Sequence, residues 1–162
     1  VRNGYADPSL LGVDRWLAVI GAYDRIRGAC VVADIGTAAT IDVVAPDGRH
    51  RGGFIVPGPA LMVDSLVSGT SDLGARHESS GPASGARFAD NTRDAMKQGC
   101  RLAVAALIDR SVEEAAGGGD HPALLLTGGA AADVQPYLRC AVDSMPDLVL
   151  RGLAILAGAE PV

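Results

Sequence analysis

The stretch ACVVADIGTAATIDVVAPDG, residues 29–48, decides how this chain folds. It opens with a valine-rich apolar run, which is typical of a buried strand, and Gly36-Thr37 then interrupts that run. A second apolar run follows, and Pro46-Asp47-Gly48 is a turn signal. Three strands joined by tight turns predict an antiparallel meander, with strands expected over 29–35, 40–45 and 51–56.

Outside the meander, apolar periodicity and capping signals predict helices alternating with short strands. Asn91 is a good N-cap, with Asp94 as its capping partner. Residues 68–90 are rich in Gly and Ser and predict a loop. Helices are expected over 14–23, 60–67, 92–115, 133–141 and 152–159, and strands over 123–126 and 148–150. This α/β order matches one ribonuclease-H-like lobe of the actin-like, sugar-kinase-like ATPases, a mixed sheet flanked by helices.

Composition and charge exclude several classes of function. The 162 residues suit one domain, and the net charge of -5 argues against nucleic acid or an anionic membrane surface as a partner. The apolar stretches are shorter than the roughly 20 residues of a membrane span, so a cytoplasmic location is expected. The three cysteines form no CxxC pair and predict reduced thiols, and no histidine has zinc-site spacing.

Asp34-Ile35-Gly36-Thr37 is the first candidate site, because it ends a buried strand in a tight turn. Gly36 lets a phosphate approach the backbone, and the Thr37 hydroxyl and the turn amides can donate to its oxygens. The Asp34 carboxylate could hold a cation beside those phosphates. The alternative is a hairpin turn with a local bond between Asp34 and Thr37.

Gly12-Val13-Asp14-Arg15 is the second candidate, an acid and a base at the start of a helix. Asp14 could accept a proton from an alcohol that attacks a phosphoryl group. The planar guanidinium of Arg15 could bind a carboxylate or a phosphate. The alternative is an N-cap aspartate followed by an exposed arginine.

Three further signals are weaker when taken singly. The two glycines of Thr127-Gly128-Gly129 could let an adenosine or a substrate come close to the backbone. The alternative is that this segment is simply the entry to a helix. The glycines of 52–58 mark close approach of a ligand or of another backbone, or a bend at the sheet edge. Thr92, in the first turn of the long helix, could offer its hydroxyl and amide to a bound group, or only help the cap.

These signals occur together and in one order, and in that order the chain resembles the type III pantothenate kinases. The resemblance extends over essentially the whole chain, and its GxDRW and DxGTAxT…GGxIxPG blocks are specific. The blocks are LGVDRW (11–16), DIGTAATID (34–42), GGFIVPG (52–58), TSDL (70–73), NTRDAMKQG (91–99) and TGG (127–129).

The resemblance implies transfer of the γ-phosphate of ATP to the primary hydroxyl of pantothenate, the first step of coenzyme A biosynthesis. It makes Asp14 the catalytic base and Asp34 the ligand of a monovalent cation, K⁺ or NH₄⁺, with Mg²⁺ accompanying ATP. It also implies a homodimer. The binding residues that it implies are Tyr5, Gly12, Val13, Asp14, Arg15 and Thr92 for pantothenate, and Gly36 and Thr37 for ATP.

The chain departs from the family pattern in one respect. The family begins with a lobe whose D-x-G-N-T loop binds ATP phosphates, and these 162 residues contain no such loop. We therefore expect residues 1–28 to be a substrate-binding helical segment, residues 29–162 to be the C-terminal lobe, and the chain alone to be inactive. The alternative function is that of a non-enzymatic transcriptional accessory factor, a role that the same family includes.

Overall fold

The structure is a computed structural model that describes residues 1–70, 88–117 and 121–158. Most of the loop expected over 68–90 lies outside these described residues, as does most of the TSDL block. The predicted meander is confirmed, with strands β1 (Cys30–Ile35), β2 (Ala38–Val44) and β3 (His50–Pro57). Two more strands, β4 (Ala123–Thr127) and β5 (Val142–Ser144), complete a sheet of order β3-β2-β1-β4-β5.

The sheet is mixed in direction. β1 pairs antiparallel with β2, and β2 pairs antiparallel with β3. β4 is parallel to both β1 and β5. Four strands, β1, β3, β4 and β5, therefore end at the same edge of the sheet, and that edge also carries the turn between β1 and β2.

Helices cover both faces of the sheet. The helices are α1 (Val13–Ile26), α2 (Pro59–Gly69), α3 (Thr92–Ala115), α4 (Ala131–Val134) and α5 (Leu148–Leu156). One core joins α1 and α5 to alternate residues of the strands, such as Val32 and Leu125. The other core joins α3 and α4 to the intervening residues, such as Ala33 and Leu126. Asp34 has the same parity as Val32 and therefore lies on the α1 face.

Two expectations near the C-terminus are wrong. The helix expected over 133–141 is only α4 and a 3₁₀ turn (Gln135–Tyr137), because Pro136 has no N–H for a continuing helix. The strand expected over 148–150 is the first turn of α5, whose Leu148 packs on α1. A short apolar run fits either a strand or a buried helix. In this chain the apolar run that begins at Leu148 is helical, and the strand is β5, the more polar segment that precedes it.

The long helix and the cysteines match expectation. The Asn91 side chain accepts the backbone N–H of Asp94, which caps α3 at the predicted residue. All three cysteines are free thiols, and burial raises the pKa of the Cys30 thiol to about 12. Within the described residues, no helix is long and apolar enough to cross a membrane.

Candidate active site

The candidate site is built around the turn between β1 and β2. Gly36 and Thr37 form this turn and are exposed. The N–H of Gly58, at the start of α2, donates to the Thr37 carbonyl at 2.8 Å, and the N–H of Ala130 donates to the Ile35 carbonyl at 2.9 Å. The turn is therefore fixed by hydrogen bonds from both sides, while its own exposed atoms face solvent.

Two glycines allow this close approach of backbones. A Cβ on Gly58 would overlap the carbonyl oxygen of Gly36. Gly128 has a φ of +95°, and a Cβ there would overlap the Asp34 carboxylate and the Ile35 backbone. Only glycine fits both the left-handed φ and the space at position 128. Gly128 of the Thr127-Gly128-Gly129 segment thus allows the loop between β4 and α4 to pack on Asp34.

The structure brings the two predicted carboxylates, Asp14 and Asp34, into electrostatic contact. Asp34 is half-buried near the end of β1, and Asp14 is exposed in the first turn of α1. Burial raises the pKa of the Asp34 carboxyl, and the negative charge of Asp14 raises that pKa further. A carboxyl whose pKa is raised by burial and by a neighbouring carboxylate is a feature of functional sites.

Arg15 lies buried beside this pair and forms a bidentate ion pair with Asp42 of β2. Its Nε donates to Asp42 Oδ2 at 2.9 Å, and its Nη2 donates to Oδ1 at 2.6 Å. Its Nη1 donates to the Tyr5 hydroxyl at 2.8 Å. The exposed arginine of the alternative interpretation is therefore wrong, because Arg15 is only 8% exposed. Three of its five N–H groups are used in these bonds.

Thr92 starts α3, the helix that packs on the sheet face opposite to α1. The described contacts bring together Tyr5, Gly12, Val13, Asp14 and Arg15 on one side, and Asp34, Gly36 and Thr37 beside them. They do not place Thr92 with either group. Its assignment to the substrate stays a prediction, as do the assigned roles of the other site residues.

Two residues of this region were not singled out from the sequence. Asp42 and His50 are buried, at 2% and 0% exposure, and His50 Nε2 lies 2.7 Å from Asp42 Oδ1. The alternation of side chains along β2 could have identified Asp42 from the sequence. It places the charge of Asp42 on the α1 face of a buried strand. A charge in that position needs a partner.

The donor set fits a hard cation. Asp14 and Asp34 offer carboxylate oxygens, which alkali and alkaline-earth ions prefer. A cation between them would also offset the repulsion that raises the pKa of Asp34. Within the described residues, no group of three or more His, Cys, Asp or Glu side chains could form a larger metal centre.

Comparisons with known proteins give the family of this chain. The family model described as type III pantothenate kinase matches residues 1–114. A type III pantothenate kinase from Azoarcus sp. (strain BH72) is 42% identical over 160 residues, which are 99% of this chain and 59% of the relative. The chain thus spans about three fifths of the length of that relative.

Solved structures give the fold class. A protein from Campylobacter jejuni, described as a conserved Baf family transcriptional activator, has a TM-score of 0.61 and 26% identity, covering 98% of this chain and 68% of its own. The activator of the 2-hydroxyisocaproyl-CoA dehydratase from Clostridium difficile, with bound ADPNP, has a TM-score of 0.52 at 16% identity, covering 89% and 65%. These neighbours confirm the predicted actin-like, sugar-kinase-like α/β fold.

Proposed function

The chain belongs to the type III pantothenate kinase family, and from this premise we propose that it forms the acceptor side of a pantothenate kinase site. The reaction is transfer of the γ-phosphate of ATP to the primary hydroxyl of pantothenate. The observation that carries the proposal is the Asp14–Asp34 pair beside the exposed Gly36-Thr37 turn. This arrangement supports the proposal because a proton acceptor, a cation ligand and a phosphate-binding turn would then lie at one edge of the sheet.

Asp14 is the proposed catalytic base. It is exposed at the start of α1, so its carboxylate is accessible to an incoming alcohol. It would accept the hydroxyl proton as the oxygen attacks the γ-phosphorus, while the bond from that phosphorus to the β,γ-bridging oxygen breaks and ADP leaves. Tyr5, Gly12, Val13, Arg15 and Thr92 are the residues proposed to bind pantothenate.

Asp34, Gly36 and Thr37 are proposed to act on the nucleotide side. Asp34 would hold K⁺ or NH₄⁺, and a bound cation would reduce the negative charge that the phosphates meet there. The Thr37 hydroxyl would donate to a phosphate oxygen, and Gly36, which has no side chain, would let the phosphate approach the turn, with ATP arriving as its Mg²⁺ complex. A homodimer and a cytoplasmic location are part of the same proposal.

The test of this function is Asp14→Asn in a protein extended to the length of its relatives. We expect turnover to fall at least about a hundredfold, since general-base catalysis contributes about 10²–10⁴ in rate. The variant should keep the wild-type circular dichroism spectrum and melting temperature. Asp64→Asn, an exposed change on α2, is the matched control. Near-wild-type turnover of Asp14→Asn would refute the assignment of the base.

The 162 residues by themselves are proposed to be inactive. The chain spans 59% of the Azoarcus relative, and phosphoryl transfer needs the whole of ATP to be positioned and neutralised. A coupled assay that measures ADP formation with ATP, pantothenate and KCl should show no turnover above the buffer rate. Steady pantothenate-dependent ADP formation by this chain alone would contradict the proposal.

A regulatory role is the second candidate, favoured by the description of the Campylobacter jejuni structure as a transcriptional activator. A pure regulator has no need of a carboxyl such as Asp34, whose pKa is raised by burial and by a second carboxylate. Fluorescence anisotropy with labelled promoter DNA, run beside the kinase assay, separates the two functions. Binding of DNA without any turnover would favour the regulator.

A further inference from the structure

A hydrogen-bonded cluster, buried except for the half-buried Tyr5, includes Arg15, the residue next to the candidate base in sequence. Its members, named here the Asp42 cluster, are Tyr5, Arg15, Asp42 and His50. Asp42 is the centre, because its carboxylate accepts from both Arg15 and His50. The Tyr5 ring stacks on His50 with a centroid distance of 5.8 Å, and its hydroxyl accepts from Arg15. These contacts form a closed ring of four residues. The ring connects Tyr5, which precedes α1, with α1, β2 and β3.

The cluster includes a contact of the first turn of α1 with the sheet. The N-cap is Gly12, which makes no side-chain cap bond, so the first turn has no cap of the usual kind. The bidentate bond from Arg15 to Asp42 fixes that turn to β2 instead. Asp14 is the adjacent residue in the same turn, so its carboxylate is placed by a contact that its neighbour makes.

His50 forms a second hydrogen bond to the Asp42 carboxylate. An ionised carboxylate can only accept, so Nε2 is the protonated nitrogen of the contact with Asp42 Oδ1. Nδ1 of His50 is buried and has no hydrogen-bond partner among the residues that the structure describes, and Nε2 makes the polar contact of the ring. Gly53 faces Asp42 across the β2–β3 ladder, and a Cβ there would lie 2.9 Å from Oδ1. Glycine at position 53 thus leaves the space that this orientation of the carboxylate occupies.

We propose that Asp42 and His50 are positioning residues that hold the first turn of α1, and with it Asp14, at the distance from Asp34 that phosphoryl transfer requires. This inference rests on the proposed function for its catalytic part. Its structural part, the fixing of the first turn of α1, holds independently of what the site does.

The experiment uses Asp42→Asn, His50→Leu and His50→Gln in a protein extended to the length of its relatives. Gln keeps a donor at the place of Nε2, whereas Leu removes it. We expect Asp42→Asn and His50→Leu to lower kcat at least about tenfold with KM for ATP within twofold, because a misplacement of about 1 Å costs up to about a hundredfold. His50→Gln should restore most of kcat.

Amide hydrogen exchange gives the second readout. The N–H of Trp16 donates to the Gly12 carbonyl at 3.0 Å, the first bond of α1, and its exchange should accelerate about tenfold in Asp42→Asn and His50→Leu. Exchange at Leu125, in the buried strand β4, should stay within twofold. Asp47→Asn, which removes the exposed ion pair with Arg2, is the matched control and should change neither readout.

The outcomes separate the two claims. The positioning role is overturned if amide exchange accelerates equally at Trp16 and Leu125. It is also overturned if His50→Leu keeps the wild-type kcat and the wild-type exchange rates. If Asp42→Asn does not fold, the comparison of His50→Leu with His50→Gln tests the positioning role by the same two readouts, kcat and amide exchange. A wild-type protein without kinase activity refutes the proposed function, and exchange at Trp16 then still decides whether the Asp42 cluster fixes α1.

Discussion

At the scale of single residues, Asp34 lies where ionisation is unfavourable. Burial and the charge of Asp14 both raise the pKa of its carboxyl above the value it has in the unfolded chain. The folded state therefore binds a proton at Asp34 more tightly than the unfolded state does. The free energy of unfolding consequently falls as pH rises through the interval between these two pKa values, and it stays lower at pH 7.

Asp34→Asn should therefore raise the melting temperature of the 162-residue chain at pH 7 by a few degrees. The gain should shrink as pH falls below about 4, where the wild-type carboxyl is protonated in both states. Differential scanning calorimetry at pH 7 and pH 3.5 measures the two gains. Asp64→Asn on the exposed face of α2 should shift neither melt. A gain that is equal at both pH values would show that ionisation of Asp34 is not its cause.

At the scale of elements, the contact between α1 and α5 depends on two glycines. A Cβ on Gly152 would overlap the Leu17 carbonyl oxygen, and a Cβ on Gly21 would lie 2.6 Å from the Leu148 carbonyl oxygen. The two helix backbones therefore touch directly. This contact favours a helix for the segment that begins with Leu148, because the helix buries Leu148 against α1.

Gly152→Ala should accordingly destabilise the chain although alanine favours helices. Over-packing costs about 1–3 kcal/mol, which exceeds the gain of up to about 1 kcal/mol from helix propensity. Gly99→Ala is the matched control, because Gly99 is an exposed glycine of α3 with nothing near its Cβ position, and it should stabilise the chain. Urea unfolding followed by circular dichroism measures both changes. Opposite signs are expected, and stabilisation by Gly152→Ala would contradict the close contact.

The sequence predicted the meander and the long helix well because their signals are local. The turn residues after β1 and β2 and the Asn91 cap act within a few residues of where they stand. The segment from 131 to 150 was mispredicted because its outcome depends on distant partners. Val142–Ser144 forms a strand only because β4 offers an open parallel edge, and Leu148 belongs to a helix only because α1 lies opposite.

The sequence predicted which residues form the candidate site but did not predict which of them contact one another. Asp14 and Asp34 were expected to act together, and the structure places their charges within reach of each other. Arg15 was expected to bind negative charge, and the charge that it binds within this chain is that of Asp42. That partner lies 27 residues away, in a strand whose register against β1 and β3 no local pattern fixes.

At the scale of the whole molecule, the site joins elements that are far apart in sequence. Asp14 lies in the first turn of α1, Asp34 lies near the end of β1 in the centre of the sheet, and Gly128 follows β4 and packs on Asp34. A ligand held by Asp14 and Asp34 is therefore bound only when α1, the meander and β4 are assembled. Its binding should raise the stability of the whole chain and not of one loop.

Potassium should therefore raise the melting temperature of this chain. A ligand that binds only the folded state stabilises it by about 1.4 kcal/mol at ten times its Kd, which corresponds to a few degrees. Melts in KCl should exceed melts in choline chloride at equal ionic strength, since choline is too large to lie between two carboxylates and both salts screen equally. In Asp34→Asn the two salts should give the same melt. Equal wild-type melts in both salts, or an undiminished potassium effect in Asp34→Asn, would contradict a cation site at Asp34.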